Sequence, residues 1–226
     1  MSTVVAYTFR WDVVSGSFDV LLQSVRVTLE LSVLGLVCSL ALGLVVALCR
    51  MAPFAPLRWL AFGYIQVFRA LSLYIYVLLL YYGIAAVSGI NFSPLAAGVI
   101  ALTMLFSAYM AEVYRSALGA VDPGQREAAF SLGFSRTRTF GTVVFPQAFR
   151  IALPSLTNLF VDIVKDSSII AVVGTADLMG TTNQLNGVYR APFELYTTVA
   201  CFYITLVLVL SAAAALLERR LNRHVR

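Results

Sequence analysis

Charge is what this chain has least of. Only 12% of its 226 residues are Asp, Glu, Lys or Arg, about half the roughly 25% of a soluble domain. Lysine occurs once, at Lys165, and histidine once, at His224. A phosphate-cradling nucleotide loop needs Gly-Lys followed by Ser or Thr. Val164 precedes the one lysine, so the chain has no such loop, and any ATP site that serves it lies on another polypeptide. One histidine in a basic tail builds no metal site. Cys38, Cys49 and Cys201 lie far apart in apolar segments. They assign no disulfide and read as small apolar side chains. The first 19 residues, with Arg10, Asp12 and Asp19 scattered through them, lack the basic start and short apolar core of a secretory signal. No stretch reads as a second domain, an internal repeat or a low-complexity tract.

What is present is apolar. Hydrophobic residues make up 60% and the mean hydropathy is +0.87, values of the integral membrane class; the helical spans read below make the expected fold all-α. The net charge of +5 does not point to nucleic acid, because the arginines sit at the ends of apolar segments, as membrane topology requires.

A spanning helix needs about 20 mostly apolar residues. Leu31 to Cys49 is uncharged, and its helix is expected to start near Val20, with Arg26 and Glu30 spaced to pair on one face. Ala70 to Ala111 is also uncharged and too long for one span. The turn chemistry of Gly89-Ile90-Asn91-Phe92-Ser93-Pro94 divides it into helices over 57–87 and 94–119. A fourth helix is expected over 150–174, with Asp162, Lys165 and Asp166 inside it, and a fifth over 195–217. The expectation is therefore about five transmembrane helices. Residues 1–19 form an external segment, 20–218 the membrane domain with a loop over 116–150, and 219–226 a basic tail. Arg50 and Arg58 flank the first connection. Arg115, Arg126, Arg136, Arg138 and Arg150 surround the third, and Arg219, Arg220, Arg223 and Arg226 end the chain. The alternate connections hold only Arg10 and Arg190. The positive-inside rule then puts the N-terminus outside and the 116–150 loop and C-terminus in the cytoplasm.

That loop carries Gln125-Arg126-Glu127-Ala128-Ala129-Phe130-Ser131-Leu132-Gly133. Asp122 reads as an N-cap, Pro123 as the first helical position and Gly133 as the stop. A helix this short is not stable alone in water and must dock. Ala128 and Ala129 permit close approach, Phe130 and Leu132 supply apolar anchors, and Glu127 offers a charge to a partner's arginine. Packing beneath its own bundle is the plainer alternative.

The pattern Glu-Ala-Ala, three residues, Gly, nine residues, then Val143-Val144-Phe145-Pro146 resembles the cytoplasmic signature of ATP-binding-cassette (ABC) importer permeases. Val143 and Phe145 stand where that family usually has Ile and Leu. Ser107 to Arg115, Gly124-Gln125, Pro146-Gln147-Ala148, Lys165 to Ile169, Thr28-Leu29 and Phe68-Arg69 are similar to its polar amino-acid (His/Glu/Gln/Arg/opine) branch. The resemblance runs from about 20 to 218. It implies a type I, MetI-like permease fold in a bacterial cytoplasmic (inner) membrane and a second permease subunit, identical or different. It also implies ABC ATPase subunits that bind ATP and receive the short helix as a coupling helix, and an extracytoplasmic solute-binding protein. The chain itself is then no enzyme and binds no cofactor.

Ionisable groups inside spans suggest function. Arg69, Asp162, Lys165, Asp166 and Ser167 are candidate pathway residues for a zwitterionic or charged amino acid, while a Lys165–Asp162 ion pair that eases burial is the structural reading. Glu112 and Arg115, three apart, read as a pair near the coupling loop. The branch usually reads Gly-Thr-Pro-Leu after Arg69; this chain has Ala70-Leu71-Ser72-Leu73, which removes the sequence basis for a kink there. Tyr74, Tyr76, Tyr81 and Tyr82 suit packing or interfacial anchoring better than a pathway. Gly35, Ser39 and Gly43 favour close helix contact. A stand-alone channel or ion-coupled carrier needs no docking helix, and many such carriers contain inverted repeats. A non-transporting subunit leaves the charged fourth span without a role. Lys165→Met is expected to abolish uptake while leaving assembly with the ATPase intact; wild-type uptake in that variant rules out a pathway role for Lys165.

Overall fold

The protein, described over residues 8–222 of a computed structural model, is all-helical there. Arg223, His224 and Arg226 of the basic tail lie outside the described residues. α1 (Trp11–Met51) is 41 residues long, about 61 Å at 1.5 Å per residue. It begins nine residues before the expected start at Val20. Asp12 sits in its first turn, where the helix dipole favours an anion, and Val13 packs on Ala191 and Leu195. The Arg10 backbone N–H donates to the fully buried Glu194 Oε1 at 2.7 Å. Tertiary contact therefore extends the helix through a stretch whose mixed polarity gives no period.

α1 buries Ser24, Thr28, Leu31, Gly35, Ser39, Gly43 and Ala47 on one side, a stripe spaced three or four residues apart as one helix face requires. Its main partner is α5 (Pro94–Gly119). A Cβ on Gly43 would lie 2.8 Å from Met110 Cβ and 3.0 Å from the Ser107 carbonyl oxygen, and one on Gly35 3.3 Å from Leu102 Cβ. The small-residue stripe is thus the seam along which the two backbones approach. Ser93 caps α5 by accepting from the Ala96 N–H at 3.2 Å, with Pro94 in its first turn. These bounds agree with the expected 94–119.

The expected single helix over 57–87 is broken. α2 (Ala55–Ala70) meets α3 (Leu73–Leu78) at 104°. α3 runs on through a π-helical turn, Leu79–Ile84, into α4 (Ala85–Ser88). Leu71 and Ser72 are extended, with ψ of 147° and 140°. Neither glycine nor proline makes this bend. It is held by packing: Phe68 stacks on Tyr76 at 5.0 Å, while Leu73, Tyr76 and Val77 enter the core with Leu102, Phe106 and Ile170. Gly89, at φ 70°, ends α4.

α6 (Pro123–Ser131) and α7 (Arg136–Thr139) follow. A second π turn, Phe140–Val144, leads into α8 (Phe145–Asp166). The expected helix over 150–174 therefore starts five residues early and ends as α-helix at Asp166; Ser167–Val173 is a tighter 3₁₀ segment stopped by Gly174 at φ 83°. α9 (Leu178–Tyr189) was not expected, because its Thr181-Thr182-Asn183-Gln184 run has no apolar period. Buried Asp177 caps it, accepting from the Met179 and Gly180 N–H groups at 3.2 and 3.3 Å. The Leu178 N–H donates to Thr28 Oγ1 of α1 at 3.0 Å. α10 (Pro192–Asn222) closes the fold.

Trp11–Met51, Pro94–Gly119 and Pro192–Leu216 are each long and apolar enough to cross a membrane, and α2 together with the bent α3–α4 stretch reaches the same standard only when the two are counted as one broken span. α8 has the length, at 22 residues, but its charges set it apart from a purely apolar span.

Gly43→Ala is expected to destabilise the protein by about 1–3 kcal/mol, because Met110 and the Ser107 carbonyl must shift. A lower unfolding temperature in detergent checks it. Gly63→Ala, where a Cβ meets nothing within 4 Å, should leave that temperature unchanged or raise it.

Candidate functional site

Two features stand apart from the packed scaffold: a short exposed helix and a charged cleft. α6 is built by its ends. Asp122 Oδ1 accepts from the Gly124 N–H at 2.7 Å, as an N-cap does. At the other end the Phe134 N–H donates to the Ala129 carbonyl at 3.1 Å and the Gly133 N–H to Phe130 at 2.9 Å. With Gly133 at φ 81°, this is a Schellman stop. The Arg126 side chain donates to the Leu118 carbonyl at 2.9 Å, which ties α6 to the end of α5. Ala129 is buried against the protein's own fold, whereas Glu127, Ala128, Phe130 and Leu132 face outward. Leu132 is 77% exposed. Apolar side chains this open on a nine-residue helix leave a face for a partner. The two alanines of the signature thus do different things: one seats the helix, the other clears its outer face.

The cleft lies between α5 and α8, with the end of α2 at its rim. One part, about 390 Å³, is lined by Arg69, Tyr109, Glu112, Arg115, Ser155 and Leu159 among others. A second hollow of about 330 Å³ is lined by Phe106, Tyr109, Leu159, Asp162, Lys165 and Asp166, with Leu105 at its edge. Tyr109 and Leu159 border both. Arg69 holds its guanidinium 5.0 Å from the centre of the Tyr109 ring, a cation–π contact. Arg115 donates to Glu112 Oε2 at 2.6 and 3.1 Å. Lys165 Nζ lies 2.7 Å from Asp162 Oδ1, the pair the i,i+3 spacing predicts. Arg26 and Glu30 also pair, at 2.9 Å.

Four of the five candidate pathway residues therefore border one or other of two hollows that adjoin at Tyr109 and Leu159. Ser167 does not. It is fully buried and donates to the Val164 carbonyl at 2.8 Å, so it closes the end of α8. Tyr76 is buried in the core, Tyr74 and Tyr82 are exposed and Tyr81 is half-buried; none borders either hollow. Tyr109 is the residue that sequence reasoning missed. Its only signal was its position one helical turn before Glu112, on the same face of α5.

The family model for "Binding-protein-dependent transport system inner membrane component" matches residues 39–223. A Bacillus subtilis (strain 168) protein described as "Probable glutamine ABC transporter permease protein GlnM" is 35% identical over 207 residues, covering 92% of this chain and 95% of that one. "Arginine transport system permease protein ArtQ" of the same organism is 31% identical over 204 residues, 90% of this chain and 93% of that one. Among solved structures, "Crystal structure of an amino acid ABC transporter with histidines" contains a chain that superposes with a TM-score of 0.89 at 35% identity. It covers 95% of this chain and 100% of that one. A chain of the MetNI methionine ABC transporter superposes with a TM-score of 0.68 at 21% identity, covering 98% and 99%, a likeness of fold.

Gly133→Ala places a Cβ in a left-handed conformation, at a cost of about 1 kcal/mol. The expected outcome is faster amide exchange at Leu132, Gly133 and Phe134, with the core helices unchanged. Hydrogen–deuterium exchange measures it.

Proposed function

The chain belongs to the family of binding-protein-dependent transport system inner membrane components, and from that membership we propose that it is the permease subunit of an ATP-driven importer of polar amino acids. It forms half of the translocation pathway and is driven by separate ATPase subunits. The observation that carries this reading is α6: a helix too short to stand alone, fixed at both ends, with Phe130, Leu132 and Glu127 turned outward. Such a helix transmits force between two bodies. Its exposed apolar pair suits a groove on an ATPase, and the outward carboxylate of Glu127 suits a cationic group there.

The remaining assembly follows from the same reading. The arginine-rich ends of α1, α5, α7 and α10 face the cytoplasm under the positive-inside rule, so the first described residues are external and the membrane is the bacterial cytoplasmic one. α8 is the fifth span. Its charges are tolerable in a bilayer because they face the cleft rather than lipid. A second permease subunit, identical or different, supplies the other half of the pathway, and a solute-binding protein delivers substrate outside. Arg69, Asp162, Lys165 and Asp166 are the polar wall along which the amino acid moves. Relatives described as a probable glutamine ABC transporter permease protein and as an arginine transport system permease protein favour this reading over a stand-alone channel or carrier.

The test is capture. The affinity-tagged chain, purified in mild detergent from cells that also express the ATPase of its transport operon, should retain that ATPase. Glu127→Arg should lower the amount retained by about tenfold or more, because a close charge contact across an interface becomes a repulsion. Transport by the chain alone in liposomes without ATP overturns the proposal.

A further inference from the structure

The two ends of the α5–α8 cleft carry opposite charge once internal pairing is taken into account. At the end nearer α6 stand Arg69, Glu112 and Arg115. Glu112 is held by Arg115 at 2.6 Å and also feels the charge of Arg69, whose guanidinium rests over the Tyr109 ring, so this end has one cation more than it has anions. At the other end stand Asp162, Lys165 and Asp166. Lys165 is held by Asp162 at 2.7 Å, and Asp166, which shares the charge of that one lysine with Asp162, leaves this end with one anion more than it has cations. The six side chains thus leave an excess of one cation in one hollow and of one anion in the other, and the two hollows adjoin at Tyr109 and Leu159.

We infer that the cleft orients a zwitterion, with Arg69 drawing its carboxylate toward the α6 end and Asp166 holding its ammonium toward the far end. The inference rests on the reading of this cleft as the translocation pathway and adds a direction to it: the amino acid travels carboxylate first, toward the coupling helix. From Leu159, which borders both hollows, to Asp166 is seven residues of α8, about 10 Å of rise. Simultaneous contact is therefore not required. A charge about 10 Å away through an effective dielectric of about 20 changes affinity by roughly tenfold. An amino acid lying between the two sites feels both. The inference also defines a ligand class. Summed over the six side chains, three cations balance three anions, so the cleft matches a ligand without net charge better than a strongly cationic or anionic one.

The experiment uses the chain with the subunits it retains on purification, held in nanodiscs. Three probes are titrated: whichever of the twenty L-amino acids binds most tightly, its decarboxylated amine, and its desamino acid. Arg69→Met is expected to weaken the amino acid and the desamino acid by roughly tenfold while leaving the amine unweakened or tighter, because a repelling cation is removed. Asp166→Asn is expected to weaken the amino acid and the amine by a similar factor while leaving the desamino acid unweakened or tighter. Arg69→Lys and Asp166→Glu, which keep the charges, should keep the wild-type order of the probes. Arg69→Gln replaces the methionine variant if that one does not purify as a single species. A reversed pattern, or equal weakening of all three probes, overturns the orientation while leaving the pathway reading in place. Binding of none of the twenty, or binding that neither neutralising variant alters, removes the pathway reading and the orientation together.

Discussion

The close approach of α1 and α5 is the constraint on which the other elements depend. Helices in lipid gain little from burying apolar surface against one another, because the tails are equally apolar. Their contact must come from packing, and packing needs backbones that can come near. Gly35, Ser39 and Gly43 provide that on α1, and α5 answers with Leu102, Ser107 and Met110. With this seam fixed, the remaining face of α5 is free to turn Tyr109 and Glu112 toward α8, and α9 can dock on Thr28. The seam is uncharged and tight, while the opposite side of α5 is open and charged. One helix thus separates scaffold from site.

Irregular backbone is concentrated around the same region. The 104° break after α2, the π turn over Leu79–Ile84 and the 3₁₀ segment over Ser167–Val173 all adjoin the core that backs the cleft. α3 packs against the 3₁₀ segment, so two non-α stretches lie side by side. In hydrocarbon such backbone is tolerated only where protein or a water-filled cavity surrounds it. Here the break places Arg69 at the end of α2, beside the cleft, rather than in the middle of a continuous lipid-facing helix. Packing of Phe68, Leu73 and Tyr76 secures the bend in place of the glycine or proline that would have announced it.

Much of the fold was legible because its causes are local. The Asp122 cap, the Pro123 start and the Gly133 stop fix α6 within the residues that form it, and Ser93-Pro94 does the same for α5. The Lys165–Asp162, Arg26–Glu30 and Arg115–Glu112 pairs follow from helical spacing alone. What escaped the sequence has distant causes. α1 reaches back to Trp11 because the α9–α10 corner is there to receive it. α9 is held by its Asp177 cap and by Thr28 from α1, not by an apolar stripe. The bend at Leu71–Ser72 is imposed by a core assembled from four other elements. In the cleft, the charged residues stood out against an apolar background. Ser167 stood out for the same reason and proved to be a helix terminator, while Tyr109 was hidden among many aromatic residues.

The length of α1 has a mechanical consequence. Its tip is pinned by the Arg10–Glu194 bond to the start of α10, while its C-terminal third is clamped to α5, most closely at Gly43. The 32 residues from Trp11 to Gly43 form an arm of about 48 Å. A tilt of only about 5° around the clamp sweeps its tip through about 4 Å, close to a full helical turn. Small rotations in the tightly packed interior are thereby geared up into large displacements at the far rim, and α10 is obliged to follow them.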